Sequence, residues 1–413
     1  MPVSRFALLL FPALAALGQP AIGPEVLSDS LPQVILNYPI AAPGVAMARD
    51  RTGVAIAWMM PNADGATRIY VARLGTTAHI AGGVQEIPIA STVRGVAAVY
   101  PSVAPFVTGD GFTLAWTEII SLPPLPAAQA VYCHLDAALQ PSPPVAFLLT
   151  NNLTTPAIVR SGRTRTWITV NGLVLEMSAD GSLQLPLDGG VVAADMIVAT
   201  DFPQLVGIRK VSDGFTCRTP CPYSDNHSWG CHEQCWVHSY STIFTFTALY
   251  KESVAVPFPF DSDAQPAMQT DGHDVLMAWY DAEQASGGDV VAARLDPSVF
   301  DFRNAVKATL SLGAFGRDGG QTRPDIATDG QRYVVVWRTA VPNGTHDIAG
   351  ASLDGSNSVT PFSIATSSAD ERDPSIIAVG NGVFLVAYET FSEGVRRIAG
   401  RYVTFGARRH AVR

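Results

Sequence analysis

Five stretches of this chain follow one plan: a proline, a short apolar strand, a glycine-containing turn, and a second strand that ends on an aromatic ring. They read PGVAMARDRTGVAIAW from Pro43, PSVAPFVTGDGFTLAW from Pro101, PAMQTDGHDVLMAW from Pro266, PDIATDGQRYVVVW from Pro324 and PSIIAVGNGVFLVAY from Pro374. The proline-to-aromatic spacing stays at 13 to 15 residues and closes on Trp58, Trp116, Trp279, Trp337 and Tyr388. Two weaker copies complete the series. Pro156 opens PAIVRSGRTRTWITV, with Val170 in the aromatic place. Pro203 opens PQLVGIRKVSDGFT, whose Ser212–Thr216 echoes Gly109–Thr113. The mean separation of the seven starts is about 55 residues, the length at which a supersecondary unit recurs in an array.

A third strand follows each pair, as in VVAARLD ending at Asp296, IAGASLD ending at Asp354 and VYCHLD ending at Asp136. A fourth, such as Thr360 to Ala365, leads into the next proline. Four antiparallel strands in about 50 residues make one propeller blade. The chain is therefore expected to be all-β, a seven-bladed β-propeller of four-stranded antiparallel blades over 31–405. Its blades are expected to start near 43, 101, 156, 203, 266, 324 and 374. A six- or eight-bladed ring and two tandem β-sandwiches are the competing arrangements.

The last copy has room for only three strands, and an orphan strand, Gln33 to Ile40, precedes the first proline. A bare strand edge invites aggregation. The N-terminal strand is expected to complete the last blade and seal the ring. The recurring aromatics read as wedges packed between neighbouring sheets.

The repeats from Pro266 to Leu295 and from Pro324 to Glu389 resemble those of secreted bacterial β-propeller repeat proteins. That resemblance implies the fold and no single activity. It is weak in the middle of the chain. The Ser-x-Asp-x-Gly-x-x-Trp turn of sialidase-type propellers is absent, as are the Gly-His and Trp-Asp pairs of WD40 repeats.

The N-terminus has the order of a secretory leader: Arg5, an apolar run from Phe6 to Leu17, then small residues. Cleavage is expected after Gly18, since a cut after Gly23 would put Pro24 first. Residues 1–18 are then the signal peptide, 19–30 a flexible lead-in, and 406–413 a basic tail. The product is expected to be secreted or periplasmic, with no stable membrane insertion after cleavage. Formal net charge is −9, and losing Arg5 makes it more acidic, which argues against a nucleic-acid partner. Charged residues make up 15% of the chain, while Gly and Pro number 35 and 30 and punctuate apolar runs. This describes a turn-rich globular β protein rather than a disordered chain.

Four of the five cysteines lie together, as Cys217, Cys221, Cys231 and Cys235, in an insertion spanning 217–238. In an oxidising compartment such a cluster reads as two disulfides. The nested pairing, Cys217–Cys235 with Cys221–Cys231, suits two equally spaced antiparallel segments. A zinc site of thiolates and histidines is the other reading, although the two-residue knuckle spacing is missing. No metal or cofactor is expected. Cys133 falls where other repeats carry Ala293 and Ala351, so an inert buried thiol is expected.

In a propeller, the loops joining second to third strands share a face with the blade-to-blade connections, and loops on rigid scaffolds carry function. If the insertion stands on that face, Trp229, Trp236, His227 and His232 are candidate ligand contacts. The leading functional expectation is a non-catalytic binding or interaction module for an extracellular glycan or protein, acting as a monomer. The alternative is an extracellular glycan hydrolase or lyase, which needs paired carboxylates. Glu118, Asp281 and Glu389, each just past the aromatic of its repeat, are the candidates for that role.

Overall fold

The computed structural model describes residues 19–406 except 27–43, 63–64, 76–79, 94–95, 108, 121–126, 151–156, 172, 179–181, 185–186, 189–192, 201, 213–214, 219–233, 238–239, 249–253, 257–265, 282–288, 298–305, 315–323 and 343. The expected signal peptide and strand Gln33–Ile40 lie outside them, as do the insertion's centre and all of the tail beyond Gly406.

The chain opens with β1 (Ala21–Val26). A first sheet follows, of β2 (Val45–Arg49), β3 (Val54–Pro61), β4 (Thr67–Leu74) and β5 (Ile80–Glu86). A second holds β6 (Ala97–Pro105), β7 (Phe112–Ile120), β8 (Ala127–Leu135) and β9 (Val145–Thr150). The third holds β10 (Ile158–Ser161), β11 (Thr166–Val170), β12 (Leu173–Met177) and the two-residue β13 (Leu187–Asp188). Next come β14 (Ala193–Thr200) and β15 (Phe202–Ser212), a separate ribbon of β16 (Phe215–Arg218) and β17 (Gln234–Val237), and then β18 (Tyr240–Ala248) and β19 (Val254–Val256). Two regular sheets follow. One holds β20 (Ala267–Thr270), β21 (Val275–Asp281), β22 (Asp289–Leu295) and β23 (Val306–Ala314). The other holds β24 (Asp325–Thr328), β25 (Arg332–Ala340), β26 (His346–Asp354) and β27 (Val359–Ala365). The last strands are β28 (Asp370–Gly380), β29 (Val383–Ser392) and β30 (Val395–Thr404), to which β1 adds as the fourth.

The first strands of successive sheets pack side by side around one axis: β2 on β6, β6 on β10, β10 on β14, β14 on β20, β20 on β24, β24 on β28, and β28 back on β2. This is a β-propeller with its first strands around a central channel. The expectation of seven blades on one plan is corrected: six blades follow the predicted plan, not seven. In those six, a four-strand hairpin series begins at or near the predicted proline, with β1 supplying the fourth strand of the last blade. The remaining sheet, β14-β15-β18-β19, is built differently. Its first strand has no leading proline, and Pro203 falls in its second strand, where it pairs with Val198. The echo at Ser212–Thr216 falls between β15 and β16, at the base of the extra ribbon. A four-residue match, Asp213–Thr216 with Asp110–Thr113, had mimicked a blade turn.

The identity of the closing strand is also corrected. Ala21–Val26, within the expected lead-in, is hydrogen-bonded to β30, with Ala21 opposite Thr404 and Glu25 opposite Arg401. The closure has the same physical reason, an unpaired edge covered by the chain's own N-terminal part.

Each blade aromatic fills the gap toward the preceding blade. Trp58 packs with Leu385 and Ile398 of the last blade. Trp116 packs with Ala55, Ile69 and Val71 of the first. Trp337 packs with β21 and β22 residues, and Tyr388 with Ala327, Val334 and Ile364. All are at most 2% exposed. Large flat side chains suit a wedge between sheets that diverge from an axis.

Candidate functional site

The first strands enclose a channel of about 380 Å³ along the axis. Polar side chains at its proline end lock neighbouring blades together. Asp325 is half-engaged with its own strand, accepting from Ile326 N, and its other oxygen accepts from Ile376 N of the next blade at 2.9 Å. Asp195, 1% exposed, does the same with Met196 N and with Met268 N at 2.8 Å. Ser102 Oγ accepts from Val159 N. First strands of neighbouring blades are not hydrogen-bonded as a sheet, so their amides need other acceptors. These side chains supply them.

Two residues at the mouth stand out. Tyr100 and Asp373 each precede the leading proline of a blade, and each has a left-handed backbone, φ 60° and 47°. Both sit where the strand bulges, between Val99 and Ser102 in β6 and between Arg372 and Ser375 in β28. A proline disfavours the right-handed helical region for the residue before it, and a left-handed conformation is costly for a non-glycine side chain. Both side chains line the channel. Burial raises the Tyr100 phenol above its ordinary range.

A charged rim surrounds Asp373. Burial raises its carboxyl, against the pull of Arg338, Arg396, Arg372 and His346. Arg338 is 7% exposed. Asp370 accepts from His346 Nδ1 at 2.6 Å and from Arg372 at 2.5 Å. Burial alone would raise Asp370, but those two hydrogen bonds outweigh it and hold the carboxyl at about 2. Arg338 and Arg396 lie on second-to-third-strand hairpins, and Arg372 and Asp373 near the start of β28, just after the blade-to-blade connection, so one face of the ring gathers them.

The predicted acids fare differently. Glu118 is fully buried and saturated. It accepts from Ala90 N, Ser91 N, Trp116 Nε1 and Gln129 Nε2 at 2.7–3.2 Å. It pins the blade-to-blade connection and leaves no lone pair facing the channel. Glu389 is buried, pairs with Arg396, and presses its carboxylate on Gly44 of the first blade. Asp281 ends β21 opposite Asp289, and its side chain lies outside the described residues. The three acids are therefore spread over three blades, two of them in structural pairs. Cys133 is a buried free thiol, pushed by burial to about 12.

Of the insertion, the backbone of β16 and β17 is described. It sets Cys217 opposite Cys235 and Thr216 opposite Trp236. The ribbon joins second to third strand in its sheet, which places it by topology on the face of Arg338 and Glu389. Cys221, Cys231, His227, Trp229 and His232 lie outside the described residues.

Sequence reasoning missed Tyr100, Asp373 and the arginines. The signal was the residue before each leading proline, which varies from Tyr to Asp while the proline repeats.

No protein-family model matches the chain, and no curated protein matches it in sequence. Solved structures are similar in fold. A protein of unknown function from Dyadobacter fermentans is 14% identical over 92% of this chain and 98% of its own, with a TM-score of 0.47. The β-propeller domain of the trilobed protease from Pyrococcus furiosus is 8% identical over 91% and 94%, with a TM-score of 0.47. The hemagglutinin-neuraminidase of parainfluenza virus 5 is 8% identical over 94% and 95%, with a TM-score of 0.42. The likeness is one of fold and does not bear on activity.

Proposed function

We propose that this chain is an exported β-propeller that acts as a binding module for a hydroxyl-rich ligand, a glycan, at the channel mouth marked by Tyr100 and Asp373. The observation that carries this reading is the shared left-handed backbone of those two residues, which line the same channel from different blades. Strain of this kind persists where surrounding structure imposes it and often marks a ligand site. An aromatic residue and a carboxylate acceptor lining one channel are the chemistry that holds a sugar, one group by contact and the other by hydrogen bonds. The cysteine-rich ribbon belongs to the same face, and its register supports the nested pairing in which Cys217 bonds Cys235. Export rests on the leader-like N-terminus.

The hydrolase reading gains no support from its proposed acids, because Glu118 and Glu389 are engaged in holding blades together. The test is a glycan and peptide binding screen with the chain from Gln19 onward. A glycan ligand is expected, with Asp373→Asn and Tyr100→Leu each weakening it about tenfold, the loss of one charged hydrogen bond or one buried ring. Binding unchanged in both variants sinks the proposal.

A further inference from the structure

Among the described residues, four charged side chains line the channel: Arg49, Arg160, Asp325 and Asp373. Two are committed to partners and the charge of the third is balanced by its neighbours. Arg160 pairs with Asp195 at 3.1 Å and reaches Ser102. Asp325 binds two amides. Asp373 stands among Arg338, Arg372 and Arg396. Arg49 has no hydrogen-bond or ion-pair partner among the described residues. The adjacent carboxylate does not serve it, since Asp50 accepts from Thr52 N, Gly53 N, Gly111 N and Arg73.

Arg49 is held in a defined place all the same. It ends the first strand of the first blade, at the opposite end of the channel from Asp373. Its guanidinium crosses to the last blade and lies on Gly380, where a Cβ would come within 3.1 Å of Nη1. Gly380 has φ +109°, so the backbone there both requires glycine and leaves room for the arginine. The result is a cation at the turn end of a channel whose other charges are neutralised.

Resting on the binding-module reading, we infer that the channel's ligand carries an anionic group, a carboxylate or a phosphate, bound by Arg49 at the end remote from Asp373. The planar guanidinium suits either oxyanion through paired N–H donors. The two ends are about 20 Å apart along β28, so a chain of several sugars would be needed to place hydroxyls at the Tyr100–Asp373 mouth and an acid at Arg49.

The test is calorimetric titration of the chain from Gln19 with glucuronic acid, glucose 6-phosphate and glucose. The two acidic sugars are expected to bind at least tenfold more tightly than glucose, and their order tells a carboxylate ligand from a phosphate one. Arg49→Gln should erase the difference and leave glucose binding unchanged, while Arg49→Lys should keep part of it. Arg49 is exposed, so both variants should keep the parent's circular dichroism and melting point. Equal binding of all three sugars, no binding of either acid, or an acid preference that survives in Arg49→Gln overturns the inference. The mouth is tested separately. If Tyr100→Leu and Asp373→Asn change nothing while Arg49→Gln removes the preference, the mouth reading fails and the anion site stands.

Discussion

Glu25 and Arg401 face each other across the strand pair that closes the ring, with their charged groups 3.9 Å apart. Tyr388 ties them together: its hydroxyl donates to Glu25 at 3.3 Å and accepts from Arg401 Nε at 3.3 Å. Burial raises the Tyr388 phenol well above its ordinary range, so it stays a donor at any working pH. Ile22 and Val26 add apolar contact on the two flanks. The ring is thus sealed by a strand that is mostly half-exposed and held by a few specific contacts.

A chain that begins at Leu27, without β1, should therefore show what the seal contributes. It loses two partly buried apolar side chains and one hydrogen-bonded strand, on the order of 2 kcal/mol. It also bares the edge of β30. Lower thermal midpoints and concentration-dependent association in light scattering are expected, whereas a chain that begins at Gln19 should behave as a monomer. Identical melting of the two chains would show that β1 does not hold the ring.

The same join is made a second time at the proline end, where Glu389 reaches over Gly44. A Cβ at position 44 would overlap Glu389 Oε1 and crowd Met59 Cε at 3.3 Å. Other blades carry Ser102, Asp325 or Ser375 after their leading proline, so glycine here is a matter of space. Gly44→Ala is expected to cost about 1–3 kcal/mol, the usual range for overpacking a tight site. In a Glu389→Ala background most of that cost should vanish. A double-mutant cycle by urea unfolding measures the coupling, and additive effects would show that the two residues do not meet.

Glu118 gives the sharpest contrast between a structural acid and a functional one. Truncation to alanine leaves four donors, two of them buried and two half-buried, without an acceptor, at a cost of roughly 3 kcal/mol. The melting point of Glu118→Ala should fall by several degrees. Ligand binding at 20 °C, where the variant is still folded, should be unchanged. A loss of binding without a loss of stability would instead return Glu118 to the site.

Much of this architecture was legible in the chain, because a wedge between blades needs the same chemistry each time. Proline at the strand start, glycine in the turn and a ring at the end of the second strand are local demands, and Trp116, Trp337 and Tyr388 meet them. The sheet of β14 to β19 was misread because its first strand meets those demands without a proline. There Asp195, through its grip on Met268 N, does the work of alignment. The site was less legible still. Arg338, Asp373 and Arg396 are dispersed along the chain and come together because adjacent blades share one rim. Glu118 and Glu389 carry the right chemistry for hydrolysis, and only their partners show that it is spent elsewhere.

The last expectation concerns Glu371, which is fully buried beside that rim. One oxygen accepts from Ser367 Oγ at 2.7 Å; the other has no hydrogen-bond partner among the described residues. Burial raises its carboxyl, the Ser367 hydrogen bonds oppose this, and the nearby Asp347 charge adds to the rise. A folded-state value above the unfolded one favours the protonated form in the folded protein. That contribution is whole below the unfolded value near 4.5 and fades as pH rises through the folded value. At pH 8 the ionised group is a burden that glutamine would not impose. Glu371→Gln should therefore match the parent at pH 4, where both side chains are neutral, and melt at a higher temperature at pH 8. A gain of equal size at both pH values would trace the effect to packing, and a loss at pH 8 would mean that the ionised carboxylate has a stabilising partner.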